Sequence, residues 1–376
     1  MITAAVIGTG FIGTVHIEAI RRLGIPIKGV LAGTTHSTES ARKKFNLEKA
    51  YKELSEIAAD PEVNIVHVTS PNALHFDQVT QLLNAGKHII CEKPLALSAS
   101  EGEALFSLAE SQNLVHALCF NTRFYPMVHE ARQLIKSGKI GQPRYVLGSY
   151  HQDWLLLETD WNWRLEGEKA GELRAIADIG SHLIDQVSFV SGLEVESVLA
   201  DLHTIVLERD KPIGPVQTFT VDSSSERKRV NIYSDDAAGI LIRFRNGARG
   251  TISISQISAG RKNNLAWEIS GTDSAISFET IEPEKLWIGH RGQPNEIFLK
   301  DPSTLSIDAA KNALYPGGHV EGFGETFVAL FERVYADIDR PVRVKDYPTF
   351  KDGIASLKVT EGIAQSSKTQ KWVEIK

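Results

Sequence analysis

Asp178 and His182 stand four residues apart in the run Ala170-Gly171-Glu172-Leu173-Arg174-Ala175-Ile176-Ala177-Asp178-Ile179-Gly180-Ser181-His182, a stretch of mostly apolar and small residues. In a helix that spacing puts both groups on one face, one turn apart. A carboxylate beside an imidazole favours the imidazolium and fixes the ring, which suits proton transfer near neutral pH. The same pair also serves as an ordinary helix surface contact, so its meaning depends on the rest of the chain. A second reactive group is Lys93 in Glu92-Lys93-Pro94, directly after the apolar run 88–91. A lysine at the carboxyl end of a parallel strand faces the crevice where open α/β sheets bind ligands. Its ammonium can stabilise a developing alkoxide or carry a proton. A surface lysine before a proline-started helix fits the spacing equally well.

The third feature is Gly8-Thr9-Gly10-Phe11-Ile12-Gly13, which follows an apolar run and opens a helical pattern. Gly8, Gly10 and Gly13 satisfy the dinucleotide fingerprint in its required context. They give a tight turn, close approach of backbone to pyrophosphate and close packing of helix on strand, with the helix N-terminus facing the phosphate charge. The acidic residue expected some twenty positions on, where it binds the ribose hydroxyls of NAD, is missing. Ala32-Gly33-Thr34-Thr35-His36-Ser37 stands there instead, and Arg42 lies on the following helix. Loss of the acid removes repulsion of a 2′-phosphate, yet no arginine in the turn receives one. The cofactor is NAD or NADP.

The elements that must position these groups are legible from period and punctuation. Apolar runs at 2–7, 27–31, 65–68, 88–91 and 115–120 alternate with helical patterns at 11–23, 39–45 and 76–85, the last stopped by Gly86. That rhythm predicts a parallel sheet with helices on both faces. It changes after Arg123, where a helix over 127–136 ends at Ser137-Gly138. Long alternating strands follow, including hairpins of 240–245 with 251–255 and of 267–270 with 275–278. The charged stretch 222–229 reads as an exposed loop or strand connection. Helices over 323–336 and 349–366 close the pattern. The fold class is therefore an α/β N-terminal Rossmann domain over 1–122, with an α+β domain over 123–376 carrying a large, mainly antiparallel open sheet. The last helix is placed back on the first domain.

At 376 residues, 42% hydrophobic and 23% charged, the chain has material for two cores. A net charge of -6 argues against nucleic acid or an anionic membrane as partner. No apolar run reaches membrane-spanning length, and no signal peptide is apparent, which points to the cytoplasm. Cys91 and Cys119 read as buried free thiols, and no metal-ligand spacing surrounds them, so no metal is expected.

Four motifs in order, Gly8 to Gly13, Thr69-Ser70-Pro71-Asn72-Ala73-Leu74-His75, Cys91-Glu92-Lys93-Pro94 and Asp178-Ile179-Gly180-Ser181-His182, resemble the glucose–fructose oxidoreductase / inositol dehydrogenase (Gfo/Idh/MocA) family over nearly the whole chain. The resemblance implies catalytic roles for Lys93, Asp178 and His182. His182 would accept the hydroxyl proton while hydride leaves the same carbon for the nicotinamide. Asp178 would orient and charge-balance the imidazole, and Lys93 would hold the reacting oxygen. It implies cofactor contacts from Gly8, Thr9, Gly10, Phe11, Ile12, Gly13, Thr34, Thr35, Ser37, Thr69, Pro71, Asn72, His75, Glu92, Lys93, Trp163 and Arg164. His75 fits a purely structural helix start equally well.

Substrate candidates are Arg123, Tyr150, His151, Asp160, Trp161 and His319, with Glu172 and Arg174 at the pocket mouth. Trp154, Trp161 and Trp163 crowd a polar segment that suits stacking on sugar faces or a packed hinge. The implied activity is an NAD(P)-dependent dehydrogenase of a secondary ring hydroxyl on a sugar, glycoside or cyclitol. Two alternatives are a glycoside-processing enzyme that retains NAD and oxidises transiently, and a non-catalytic sugar- or nucleotide-sensing regulator. The expected partners are a small polyhydroxy substrate and a second copy of the chain, in a homodimer or homotetramer formed through the antiparallel sheet.

Overall fold

The computed structural model describes residues 2–213 and 226–376 and divides into two compact units. The first comprises Met1–Asn121, Glu168–Gly171 and Phe327–Leu357. Its strands are β1 (Ala4–Ile7), β2 (Ile27–Leu31), β3 (Lys49–Ala50), β4 (Ile65–Val68), β5 (His88–Cys91) and β6 (His116–Leu118). They form one parallel sheet in the order β3-β2-β1-β4-β5-β6. β1 and β4 are buried at every position, as strands covered on both faces must be. The helices are α1 (Phe11–Arg22), α2 (Thr35–Lys44), α3 (Leu54–Ala59), α4 (His75–Asn84) and α5 (Ala99–Ser111). Sequence period misses β3 and α3, which are too short to show one. It also starts α2 four residues late. Thr34 caps that helix by accepting from the Ser37 N–H, and the Ser37 hydroxyl accepts the Thr34 N–H in return. The chain returns to the edge of β6 through Pro348, whose carbonyl accepts the Leu118 N–H at 2.9 Å.

The second unit comprises Thr122–Gly167, Glu172–Thr326 and Lys358–Lys376. Its strands are β7 (Tyr145–His151), β8 (Val195–His203), β9 (Glu208–Pro212), β10 (Arg227–Asn231), β11 (Ala237–Phe244), β12 (Arg249–Ser255), β13 (Asn264–Ser270), β14 (Ala275–Glu279), β15 (Lys285–Gly289), β16 (Glu296–Leu299) and β17 (Val373–Glu374). Nine of them make one sheet, β16-β15-β14-β13-β7-β12-β11-β8-β17, antiparallel except where β12 meets β7. β9 and β10 pair separately. The expected loop over 222–229 is thus strand from Arg227 on, while 222–225 lie outside the described residues.

Strand alternation gives this sheet two chemically different faces. One register row runs Ala200, Ile240, Ile252, Gly148, Trp267 and Phe278, all buried except the intermediate Gly148. The helices Pro126–Lys136 and Ser181–Ser191 contribute Val128, Leu183 and Val187 to the same core. A Cβ on Gly148 would lie 3.2 Å from Leu183, so the glycine lets the second helix settle on the sheet. Gln186 fixes it further by accepting the Trp267 indole N–H at 2.7 Å. Among the described residues no helix is long and apolar enough to cross a membrane.

Candidate functional site

In the first unit the glycine turn leaves β1 and enters α1. Gly8 has φ +88°, and a Cβ there would sit 2.5 Å from the Thr69 carbonyl oxygen. A Cβ on Gly13 would lie 2.1 Å from the Gly8 carbonyl oxygen. Both positions therefore need glycine for internal packing. Gly10 differs, since a Cβ there meets nothing within 4 Å, leaving open space over the backbone. Gly10 is the N-cap of α1, with no capping side chain and no acidic residue in the first turn. Uncapped N–H groups facing open space fit a dinucleotide pyrophosphate. Thr9 is partly buried, and Phe11 is exposed beside it with Ile12 half-buried.

Several expected cofactor contacts instead brace this turn. The Thr69 hydroxyl lies 2.8 Å from the Ile7 carbonyl and 2.9 Å from that of Gly8, so it is spent on the strand end. Asn72 is buried and donates its amide to the Ala170 carbonyl at 3.1 Å. His75 is fully buried, with Nδ1 2.7 Å from the Pro94 carbonyl and Nε2 2.9 Å from the Ser70 carbonyl. Burial holds its pKa below the usual imidazole value. These three side chains tie the 69–75 segment to its neighbours. The Thr34 and Ser37 hydroxyls serve the α2 cap, while Thr35 is exposed. Arg42 is held by Glu39 through two hydrogen bonds, at 2.8 and 2.7 Å.

Lys93 follows β5 and is partly buried, and no helix begins until Ala99, which removes the reading of a lysine before a proline-started helix. Its backbone N–H donates to Glu92 Oε2 at 3.1 Å. Glu92 Oε1 lies 3.3 Å from His16 Nε2. Cys91 and Cys119 are buried free thiols. Cys119 Sγ is 3.7 Å from His16 Nε2, and His16, Glu92 and Cys119 bring three donor atoms within 4.8 Å of one another. No sequence spacing announces that cluster, because its members come from three separate crossovers.

In the second unit Asp178 lies in a π-helical turn, Ile176–Gly180, that runs straight into the helix holding His182. The expected single helix is thus a wider turn followed by an α-helix. A Cβ on Gly180 would lie 3.1 Å from Ile176 and 3.6 Å from Ile254 of the sheet. Asp178 and His182 are both buried. Arg164 Nε is 3.0 Å from Asp178 Oδ1, and its guanidinium stacks on Trp163 at 4.6 Å. Gln256 donates Nε2 to Asp178 Oδ2 at 2.9 Å. Behind Gln256 stand Gln152 at 3.4 Å and then Asn263, which accepts from Gln152 at 2.8 Å and from the Tyr150 hydroxyl at 2.8 Å. Sequence reasoning missed Gln152, Gln256 and Asn263, since neutral amides on strand ends carry no spacing signal.

The substrate candidates separate on burial. Arg123 is buried and forms a two-bond ion pair with Asp185, and Tyr150 is buried against Asn263, with burial pushing its phenol up. Arg174 is buried too, paired with Asp236 and the Ser234 hydroxyl, so it does not line a pocket mouth. Asp160 accepts the Leu157 N–H at 2.7 Å, and Trp161 packs on Leu155, Leu165 and Ile232. The tryptophan segment is accordingly packed at Trp161. His151 bonds to Ser253, and Glu172 is exposed and pairs with Lys368. His319 is exposed in its loop.

A parallel dinucleotide sheet in one unit, together with a buried, clamped aspartate and a histidine in the other, defines a nicotinamide-dependent oxidoreductase class. Residues 2–120 match the family model "Oxidoreductase family, NAD-binding Rossmann fold" and residues 128–277 match the "GFO/IDH/MocA C-terminal domain". The chain belongs to the Gfo/Idh/MocA oxidoreductase family. It is 28% identical to levoglucosan dehydrogenase of Pseudarthrobacter phenanthrenivorans, over 100% of this chain and 98% of that one. It is 31% identical to a scyllo-inositol 2-dehydrogenase (NADP(+)) of Bacillus subtilis, over 90% of this chain and 86% of that one. A solved levoglucosan dehydrogenase in complex with NADH and L-sorbose superposes with a TM-score of 0.89 at 28% identity, covering 100% and 99% of the two chains.

Proposed function

We propose that this protein oxidises a secondary ring hydroxyl of a sugar, anhydrosugar, glycoside or cyclitol to a ketone, or runs the reverse, using NAD. One observation carries the reading: the buried Asp178 carboxylate is engaged at both oxygens, by Arg164 and Gln256, one turn before His182. A carboxylate held in that way is a fixed charge suited to orienting a proton-accepting imidazole. His182 takes the hydroxyl proton. Asp178 orients and charge-balances the resulting imidazolium. Lys93 stabilises negative charge on the reacting oxygen. Bound NAD supplies the hydride acceptor, and the Gly10 turn holds its pyrophosphate. The names of the relatives support a polyhydroxy substrate. The test is cofactor reduction over a panel of pyranoses, 1,6-anhydrosugars, glycosides and cyclitols. Turnover of at least one is expected, and none with any would overturn the reading.

We further infer a homodimer formed through the outer face of the large sheet. Leu241, Thr251 and Leu147 are successive register partners there, and both leucines are exposed. Exposed apolar side chains aligned across strands are a common mark of an interface. Light scattering should give twice the chain mass, and Leu147→Glu should shift it to that of one chain.

A further inference from the structure

We infer that Tyr335, His67 and His16 form a buried hydrogen-bonded chain with one proton order, which positions Glu92 and through it Lys93. The role given to Lys93 rests on the function proposed above, whereas the proton order does not.

The chain lies wholly within the first unit. The Tyr335 hydroxyl is 2.9 Å from His67 Nε2. His67 Nδ1 is 3.0 Å from His16 Nδ1. His16 Nε2 is 3.3 Å from Glu92 Oε1, and Glu92 Oε2 accepts the Lys93 backbone N–H at 3.1 Å. Both histidines are fully buried, and Tyr335 is buried as well. Phe331 packs against both imidazoles, with centroids 4.8 and 4.7 Å away, and Phe327 against His16 at 5.3 Å. The four polar residues come from α1, β4, the end of β5 and the helix Phe323–Ile338. Four separate elements thus meet in one line of hydrogen bonds.

Valence fixes the direction of donation. A carboxylate has no proton to give, so His16 Nε2 donates to Glu92. With His16 neutral, as the inference has it, Nδ1 presents a lone pair that His67 Nδ1–H fills. That leaves His67 Nε2 as an acceptor for the Tyr335 hydroxyl. Burial, with His16 adjacent, holds His67 well below the usual imidazole value, consistent with a neutral ring. The thiols facing the chain, Cys91 and Cys119, are pushed up by burial and stay protonated. With His16 Nε2 kept as the donor to a Glu92 carboxylate, reversing the order would require a second proton on His16, the opposite tautomer of His67 and a turned Tyr335 hydroxyl, all at buried residues. Partly satisfied buried networks are costly, so the single order is strongly held. Its product is a Glu92 carboxylate pinned by an imidazole on α1 while it pins the main chain at Lys93.

The experiment reads tautomers by 15N spectroscopy of histidine-labelled protein at neutral pH, alongside single-turnover hydride transfer with the sugar that the panel selects. The expected parent spectrum shows His16 protonated at Nε2 and His67 at Nδ1. Tyr335→Phe keeps the ring and removes only the donor. It should leave His67 protonated at Nδ1, because Glu92 sets the order from the other end of the chain, but shift the His67 Nε2 resonance by removing its donor, and slow hydride transfer about two- to tenfold, the value of one hydrogen bond, with NADH affinity retained. The reverse tautomer pair in the parent, or a Tyr335→Phe variant with the parental His67 Nε2 resonance and parental rate, would overturn the inference. The tautomer readout needs no substrate, so failure of the sugar panel leaves it decisive for the chain. Loss of the proposed activity and loss of the proton order are therefore separate results.

Discussion

Gln256 gives its Nε2 hydrogen to Asp178 Oδ2 at 2.9 Å, while Arg164 Nε stands 3.0 Å from Oδ1 of the same carboxylate. The arginine supplies charge and the glutamine supplies direction, and Gln152 in turn holds the glutamine. Gln256→Leu removes the neutral donor and keeps Arg164 in place. A hydrogen bond to a charged group contributes about 1.5–3 kcal/mol, so kcat should fall roughly 10- to 100-fold with the fold intact. Steady-state kinetics with saturating cofactor measure this. An unchanged kcat would assign Gln256 a packing role.

Removing the proposed proton acceptor and oxygen-binding cation separates chemistry from binding. His182→Asn and Lys93→Met should each lower kcat about 10²- to 10⁴-fold. NADH affinity, read by fluorescence titration, should change little in His182→Asn. Full activity in either variant would remove that residue from the proposed mechanism.

Gly13 and Gly10 of the first turn should respond differently to the same added methyl group. A Cβ at Gly13 meets the Gly8 carbonyl oxygen at 2.1 Å, so Gly13→Ala should fold poorly or lose several degrees of Tm. A Cβ at Gly10 meets nothing within 4 Å, and the backbone there, φ -71°, is open to alanine. Gly10→Ala should therefore cost about 0.5 kcal/mol of stability at most. It should weaken NADH binding at least about tenfold by filling the space assigned to pyrophosphate. Tight NADH binding by a well-folded Gly10→Ala would move the cofactor away from this turn.

This contrast also marks what the sequence made legible. The glycine turn announced itself because its function depends on local backbone shape, which residue type and spacing encode directly. The sheet order followed from strand–helix alternation. The supports of the site were not legible, because Gln256 reaches Asp178, and His16 reaches Glu92, only after β-strands far apart in the chain are paired. Arg123 and Arg174 misled for the opposite reason. A sequence shows a cation but not the carboxylate that buries it, here Asp185 and Asp236. Thr69, Asn72 and His75 were legible as a segment, but their bonds to main-chain carbonyls were not.

Arg42 gives a testable expectation for cofactor preference. Glu39 occupies its guanidinium through two hydrogen bonds, so the arginine on the helix that follows the Thr34 turn is already paired. The expected kcat/KM for NAD exceeds that for NADP by tenfold or more. Glu39→Gln should narrow the ratio by freeing Arg42. A parent that prefers NADP would show that another group receives the 2′-phosphate.

Four histidines of the first unit make its stability depend on pH. Burial is the leading cause that holds His67, His75 and His116 below the usual imidazole value, and it lowers His88 to about 4. In the unfolded chain each titrates near its ordinary value of about 6.5. As pH falls through 6.5 the unfolded state gains protons that the folded state refuses, so unfolding is favoured. The stabilisation is fully present above pH 6.5 and is lost as pH falls, for His88 through a window down to about pH 4. Each such proton is worth about 1.4 kcal/mol per pH unit where the folded state refuses it and the unfolded state takes it. Scanning calorimetry in buffers of differing ionisation enthalpy should show Tm falling from pH 7 to 5, with proton uptake on unfolding. A flat Tm over that range would mean that these imidazoles are charged in the fold, and with them the neutral His67 on which the Tyr335-to-Glu92 proton order depends.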